Sequence, residues 1–549
     1  MNKNKIMKKG SFINGMFITT LGIVISKILG IIYVVPFHAI IGEKGGALYG
    51  YAYTIYLFFM SLSSAGIPLA ISKVVSEYQA LGYYNTKKRA FILGKKISLI
   101  LGTVSFVIMF LFAPLLAKLV MGDVVGGNSI SDITYVIRII SLAVLIVPIL
   151  SVYRGYFEGH RFFSPPSISQ VIEQIIRVII IIFGSLLALK TFHLSLANSV
   201  GVALLGATLG ALVSYLYLLI KRIKNKSKFN EKARRVNEPM ITNKAILRKI
   251  VIYALPFILI DFFKSLYNYV DMFTVVKGLV HYANYSIEDA EIIYSMLSTW
   301  AAKFNMILLS ISTGIIVSLI PNLTESIVKK NHNDIQDKIT RALSILLYLT
   351  IPMTLGISFL SKNIWLVFYG SSVYGPSILS YYIFVGLFIG LFTAMIITLQ
   401  TLKDYKGVFI SLIAGVIIKI ILNTSLIHGF YMMNISAYYG SITASILGYL
   451  TSFIICLVIL YKKYKINFEV VMKHLVDIIC GSILMTIILF VIKFILPDCN
   501  GRVLNIFIIL LYTVLGCSVY LIYTYKTKTI QTIFGNEIKK FFAKKKNKS

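Results

Sequence analysis

The sequence predicts an all-α polytopic membrane protein. Fourteen transmembrane helices are expected, as two six-helix lobes in parallel repeat around a central cavity, with two further C-terminal helices. Three observations predict this. First, 57% of the 549 residues are apolar and only 14% are charged, far from the balance of a soluble domain. Second, the apolar residues fall in runs near or above the roughly 20 needed to cross a bilayer. Third, the stretch Ser64–Glu77, SAGIPLAISKVVSE, returns 248 residues later as Ser312–Glu325, STGIIVSLIPNLTE. At that offset Ser64, Gly66, Ile67, Glu77 and Asn85 fall on Ser312, Gly314, Ile315, Glu325 and Asn333, and Ser76 falls on Thr324. Both copies close an apolar span at a basic loop, and internal repeats are typical of transporters. The chain therefore reads as one membrane-embedded unit used twice, with a substrate path between the copies.

The first six spans are 12–36, 47–72, 91–117, 133–153, 168–189 and 196–220. Phe12–Pro36 is too long for a signal-peptide core and lacks a small-residue cleavage site, so it reads as a retained helix. The largest loop, Lys221–Lys249, begins KRIKNKSKFNEKARR. That polar, charge-rich run predicts a flexible or surface helical linker. Six more spans follow at 250–275, 292–320, 342–368, 378–400, 408–428 and 437–461. An even number of spans per copy makes the repeat parallel, about an axis along the membrane normal. Spans 476–496 and 503–524 fall outside the duplication. The expected division is an N-lobe at 1–220, a basic linker at 221–249, a C-lobe at 250–461, and the last two spans with a basic tail at 462–549. The spacings Gly206-xxx-Gly210 and Gly386-xxx-Gly390 predict close helix packing.

The charges test this layout. With a cytoplasmic N-terminus, and with the span-end residues Lys95, Lys96, Lys362 and Lys493 counted in the loops they adjoin, the two tails and the even-numbered loops hold 41 of the 54 Lys and Arg, the outer loops hold 7, and 6 lie within spans. Positive charge belongs on the cytoplasmic side, and one missed helix would invert every later loop. The split puts both termini on the cytoplasmic side. It also turns the net charge of +33 into a topology signal beside anionic lipid rather than a nucleic-acid footprint. The four cysteines, Cys456, Cys480, Cys499 and Cys517, have neither metal nor redox spacing. There is no Walker A loop, HExxH or GxSxG motif, and no metal-ligand cluster. No enzyme and no cofactor is expected, and any pumping draws on H+, Na+ or the membrane potential.

Ionisable residues inside spans carry the functional signal. Each costs about 2.5–3.5 kcal/mol at a helix centre, so six basic residues facing lipid would cost on the order of 15–20 kcal/mol. They are expected to line a wet cavity, to pair with acids, or to snorkel. Lys27 stands mid-span in VISKILGIIY. Glu173 and Arg177 are four apart and share a helix face, as an ion pair or as cavity wall. Asp261, Lys264, Asn268 and Asp271 fall within about 80° of one another on span 7, a single polar stripe on an apolar helix. Lys303 lies in span 8 beside Trp300 and Asn305, and Lys419 lies mid-span 11. Arg138, near an outer end, reads as a snorkelling residue. Arg154 and Glu158 begin a cytoplasmic loop as topology or gating residues. A cavity walled by Lys27, Glu173, Arg177, Asp261, Lys264, Lys303 and Lys419 is net positive. It suits an anionic substrate, most simply a phosphate or pyrophosphate.

Four stretches carry a family resemblance: SKILGIIYVVPFHAIIG (Ser26–Gly42), ALYGYAYTIY (Ala47–Tyr56), SSAGIPLAISKVVSEYQALG (Ser63–Gly82) and RGYFEGHRFFSPPSISQVIEQIIRV (Arg154–Val178). On these the chain resembles the polysaccharide-biosynthesis membrane proteins of the multidrug/oligosaccharidyl-lipid/polysaccharide exporter superfamily. Within them it resembles the Gram-positive branch of lipid II flippases, alongside the sporulation-stage relatives. The resemblance implies two six-helix lobes around a V-shaped cavity that opens alternately to either side, and a lipid-tail groove formed by spans 13 and 14. It implies an undecaprenyl-pyrophosphate-linked saccharide as cargo, carried from the inner to the outer leaflet. A basic residue of the first-helix S-R-x-L-G motif is functionally important in that branch. The run here is Ser26-Lys27-Ile28-Leu29-Gly30, so the role passes to Lys27, with Lys in place of Arg. A second important base precedes the apolar run of the eighth helix, and Lys303 stands near it. A third, an Arg in the second helix of the Gram-negative branch, has no counterpart, since Tyr53–Ser64 holds no base. We expect Arg177 or Lys264 to rebuild that phosphate contact, an inference from the residues and not from the resemblance.

Two other readings stand beside a lipid II flippase. One is a flippase for another lipid-linked unit, of spore cortex, teichoic acid or capsule. The other is a small-molecule exporter of the drug-extruding arm, against which the base in span 1 and the two extra helices count. The expected partners are the lipid-linked substrate and membrane lipids; the sequence gives no oligomeric state.

Overall fold

The computed structural model describes residues 22, 25–122, 127–225, 229, 238–495 and 501–535, and every regular element among them is helical. Twelve of these helices are long and apolar enough to cross a membrane. Two of the fourteen expected spans are not among the twelve. The first, 12–36, falls about half outside the described residues. The seventh is the 41-residue helix Asn243–Ala283, which carries the polar stripe. The chain divides into two compact units, Met1–Thr299 and Trp300–Ser549. That boundary puts the seventh span with the first six. Chain order had placed it at the head of the second lobe. Compactness follows packing, and Asn243–Ala283 packs on the helices of spans 2 and 3.

The first unit contains α1 (Val34–Ser64), α2 (Ile67–Ala80), α3 (Tyr84–Leu111), α4 (Ala113–Met121), α5 (Ile130–Gly159), α6 (Ser164–Ile179), α7 (Leu196–Lys224), α8 (Asn243–Ala283) and α9 (Ile287–Ser295). Two π-helical turns, Ile180–Gly184 and Leu187–Thr191, extend α6. A non-helical Gly42 at φ 65° breaks α1 and separates the end of span 1 from span 2. The Ser64–Glu77 stretch is a second break. Gly66 takes φ +71° between α1 and α2, and a Cβ there would lie 2.7 Å from both Ala254 O and Phe257 Cβ of α8. Pro68 then starts α2, where its missing N–H is tolerated. Its repeat mate Gly314 lies inside an unbroken helix, and a Cβ added to it would meet no neighbour within 4 Å. The repeat is thus one of sequence pattern, not of local backbone.

Two of the family stretches pack on one another. On α5, Gly155 and Gly159 lie against the backbone of Pro68 and Ser72 on α2, and Ser76 Oγ donates to Gly159 O at 2.9 Å. Absent side chains let the helices approach to backbone contact. Below this crossing the linker is docked, not loose, wherever it is described. Phe229 sits among Tyr156, Phe157, His160 and Phe162, with ring centroids 5.0–5.5 Å away. Glu238 accepts the N–H groups of Asn85 and Thr86 at 2.8 and 3.0 Å, capping the start of α3. Burial works to raise Glu238. The Asn85 and Thr86 hydrogen bonds outweigh it and hold the carboxyl below its ordinary 4.5. This clamp is therefore at full strength above pH 4.5 and is lost as pH falls through the lowered value. Phe229→Ala removes a buried ring, a change worth about 3–5 kcal/mol in a packed core. It is expected to expose Lys221–Lys249 to trypsin, visible as faster cleavage into two halves. Glu238→Gln is expected to have the same effect more weakly.

The second unit contains α10 (Ala302–Val328), α11 (His332–Phe359), α12 (Ser361–Tyr369), α13 (Gly375–Thr401), α14 (Tyr405–Met432), α15 (Tyr438–Tyr464), α16 (Glu469–Ile495), α17 (Arg502–Lys526) and α18 (Thr529–Phe534). A π-turn at Met296–Trp300 leads into α10. On α13, Gly386 packs against the Asn305 side chain and Gly390 against the Ser312 hydroxyl, each closer than a Cβ would allow. Spans 13 and 14 are α16 and α17. α17 is fastened to α11 by Tyr520 Oη donating to Tyr348 O at 3.0 Å and by a 2.9 Å bond between Tyr348 Oη and Thr524 Oγ1. Between α11, α12, α16 and α17 lies an apolar groove of about 440 Å³, lined by Tyr348, Pro352, Gly356, Met485, Tyr512 and Gly516 among others.

Candidate functional site

Span 5 carries the centre of the site. Glu173 and Arg177, one turn apart on α6, form the expected ion pair, with Arg177 Nη2 to Glu173 Oε1 at 2.8 Å. The second carboxylate oxygen is taken by Arg154, whose Nη2 lies 2.7 Å from Glu173 Oε2 and whose Nε donates to Ser169 Oγ at 3.0 Å. One carboxylate thus bridges two guanidinium groups on two helices, all three side chains under one-fifth exposed. Helix packing fixes the geometry. Gly206 and Gly210 of α7 sit against the backbone of Arg177 and Glu173, so close that a Cβ at either would stand 2.9 or 2.6 Å from the facing carbonyl oxygen. The GxxxG spacing therefore serves to bring α6 close at the level of these charges.

Arg154 and Glu158 were expected at the start of a loop. Helix α5 runs on to Gly159, so both lie on its last turns, and Arg154 belongs to the charged centre. Sequence distance hid this, since the pairing spans 19 residues and depends on how α5 meets α6. Sequence reading also missed the tyrosines around Arg177. Tyr49, Tyr53 and Tyr56 of α1 are near enough to feel its charge, and Tyr49 stacks on Tyr53 at 5.5 Å. A further buried acid, Glu291, accepts Asn128 N at 2.9 Å and Asn128 Nδ2 at 3.0 Å and is 1% exposed. Its place in a polar, acid-rich helix start gave no sign of burial.

The remaining residues are spread over both units. Lys27 is half-buried on the helical stretch 25–32, and Gly22 of the same span touches Ser167 of α6. On α8, Asp261 and Asn268 are exposed, while Lys264 and Asp271 are half-buried. Lys303 is half-buried at the first turn of α10, directly after the π-turn. Arg138 is exposed, donates to Phe110 O and covers the Phe110 ring at 5.3 Å, as a snorkelling residue does.

Lys419 departs from expectation. It is 0% exposed, and its ammonium donates to Asn423 Oδ1 at 2.9 Å, Ser441 O at 3.0 Å and Ser445 Oγ at 2.6 Å. It joins α14 to α15 and does not face open space. Lys419→Ala leaves those oxygens without their donor, at about 1–3 kcal/mol for each unsatisfied group. The expected result is a total loss of about 3 kcal/mol or more, read as earlier thermal aggregation of detergent-solubilised protein.

Comparison with known proteins agrees with this architecture. The polysaccharide biosynthesis protein family model matches residues 12–326. The chain is 33% identical over 548 residues to the lipid II flippase MurJ of Bacillus subtilis (strain 168), covering 97% of this chain and 98% of that protein. It is 25% identical over 495 residues to stage V sporulation protein B of the same organism, covering 87% and 89%. Among solved structures, lipid II flippase MurJ in an inward closed conformation matches with a TM-score of 0.63 at 17% identity, over 92% of this chain and 98% of that one. An inward-facing MATE multidrug transporter of the MOP superfamily matches with a TM-score of 0.62 at 13% identity, over 80% and 95%. With its helices on the fold shared by MurJ and the MATE transporters, and its sequence matched through the first lobe and beyond, this multi-pass membrane protein is a member of the polysaccharide biosynthesis protein family.

Proposed function

We propose that this chain is a flippase that carries an undecaprenyl-pyrophosphate-linked saccharide, most simply lipid II, from the inner to the outer leaflet for peptidoglycan synthesis. It is a transporter and not an enzyme. The observation that carries the reading is the near full-length similarity to a lipid II flippase at 33% identity. The chemistry of the spans supports it. Bases held inside spans suit a diphosphate, and the 440 Å³ apolar groove against α16 and α17 suits a polyprenyl chain. Lys27, Arg177 and Lys264 of the first unit are assigned to the anionic head group, and Glu173 and Asp261 balance them; Lys303, in the second unit, keeps the role that the resemblance implies for it. Arg154 and Glu158, at the cytoplasmic end of α5, are assigned to the gate. Both termini are cytoplasmic in this reading, and alternating access is driven by an ion gradient or the membrane potential.

The test is to deplete the protein in its native cell and measure the fraction of lipid II accessible from outside. Outward exposure is expected to fall while total lipid II rises. If exposure of lipid II is unchanged and a different lipid-linked precursor accumulates inside, lipid II is not the cargo.

A further inference from the structure

We propose that Glu173 is a resident counter-anion, holding the Arg154–Arg177 pair until the substrate's diphosphate takes its place, with Arg177 as the residue that grips the diphosphate. This deepens the flippase reading and rests on it for the identity of the anion.

The argument begins with unused donors. Arg177 has five N–H donors, yet among the described residues it makes one hydrogen bond, from Nη2 to Glu173. Its Nε is enclosed and has no hydrogen-bond partner. Helical rise places Arg177 about 20 Å from the start of α6, deep within a hydrocarbon core about 30 Å thick. A guanidinium at that depth is held at a cost of several kcal/mol unless its charge and donors are met. A purely structural pair would be expected to consume both faces of the fork in a bidentate contact. Here the carboxylate is instead divided, one oxygen to each arginine. Each fork is left half open, and the Tyr49, Tyr53 and Tyr56 hydroxyls lie within electrostatic reach of Arg177. Apart from Glu173, the groups gathered there are donors or can act as donors, which matches a diphosphate with its many acceptor oxygens.

Glu158 is the other acid near Arg154, one turn further along α5. It lies toward the helix end and makes no ion pair with Arg154 among the described residues, so Glu173 is the anion that the diphosphate displaces. An exchange of this kind gives the arginines an anionic partner in both states. The arginines keep an anion when the site is empty, and the site can release its cargo because Glu173 competes for the same donors.

The test uses the full chain in phosphatidylcholine nanodiscs. The probe is undecaprenyl pyrophosphate, with undecaprenol as the uncharged control. Arg177→Gln is expected to weaken pyrophosphate binding by about tenfold or more and to leave undecaprenol unchanged. Glu173→Gln is expected to tighten pyrophosphate binding while slowing turnover, a split between affinity and rate that a structural pair does not produce. The double variant, Arg177→Gln with Glu173→Gln, leaves no buried charge unpaired on α6 and serves if the single variant fails to fold. Unchanged pyrophosphate affinity in Arg177→Gln overturns the proposal, as does a double variant that binds pyrophosphate as tightly as Glu173→Gln alone, or a parallel loss of undecaprenol. Wild-type flipping of lipid II in proteoliposomes is measured alongside. Arg177-dependent binding without lipid II flipping overturns the flippase reading alone, whereas lipid II flipping with unaltered Arg177→Gln binding overturns the exchange alone.

Discussion

Lys27→Ala is expected to lower lipid II translocation in proteoliposomes at least about thirtyfold, the effect of removing one charged partner from a desolvated pair. The amount of protein in the membrane should not fall. A lysine in mid-span opposes insertion by about 2.5–3.5 kcal/mol, so its removal eases assembly. Loss of activity without loss of protein is therefore the signature of a substrate contact. Lys27 lies on the stretch 25–32 of span 1, whose Gly22 rests on Ser167 of α6. If spans 1 and 5 run in the same direction, as the charge pattern requires, helical rise carries Lys27 and Glu173 to similar heights, about 8–9 Å beyond that contact. Lys27→Arg, which keeps the charge and restores the residue of the related motif, is expected to retain activity. A fully active Lys27→Ala protein removes Lys27 from the site.

A large effect on stability is expected at Gly155. A Cβ here would strike the Pro68 carbonyl oxygen and lie 2.8 Å from Pro68 Cα, and neither belongs to a side chain that can swing away. The two helices are also held one turn further on, where Ser76 bonds Gly159. Gly155→Leu forces α2 from α5 at a cost of about 3 kcal/mol or more, beyond ordinary core overpacking. Size-exclusion profiles after heating should show loss of the folded peak well below the wild-type temperature. Gly314→Ala is the matched control. With no neighbour within 4 Å of its Cβ and a helical backbone, it should stabilise by about 0.5–1 kcal/mol. A Gly155→Leu protein as heat-resistant as wild type contradicts the packing described for α2 and α5.

These residues show what the sequence disclosed and what it withheld. The Glu173–Arg177 pair was legible because helix periodicity alone sets a spacing of four on one face. Arg154 was not, because its partner lies across a helix crossing set by Gly206, Gly210 and the proline-started α6. Lys419 announced itself as a charge in an apolar span. Its enclosure depended on a carbonyl and a hydroxyl of the next helix, which no pattern in α14 encodes. Gly66 and Gly314 are the same letter at matched positions, but one sits at positive φ against α8 and the other in an open helix face. Twelve of the fourteen expected spans were legible as membrane-length helices, since bilayer thickness imposes that length. The grouping of the seventh span with the first six was not, because it follows from side-to-side packing.

The π-turns bear on evolutionary comparison. A π-turn holds about one residue more than an α-turn, so it behaves as a one-residue insertion absorbed without breaking the helix. Such turns lie directly after Arg177, at Ile180–Gly184, and directly before Lys303, at Met296–Trp300. Any gapless pairing of this chain with a relative that lacks the bulge slips by one position there, and one position turns a side chain about 100° around the helix axis. Lineages can thus keep a base in the same place in space while it drifts by one in the alignment, which makes spatial position, not column identity, the unit to compare across this family.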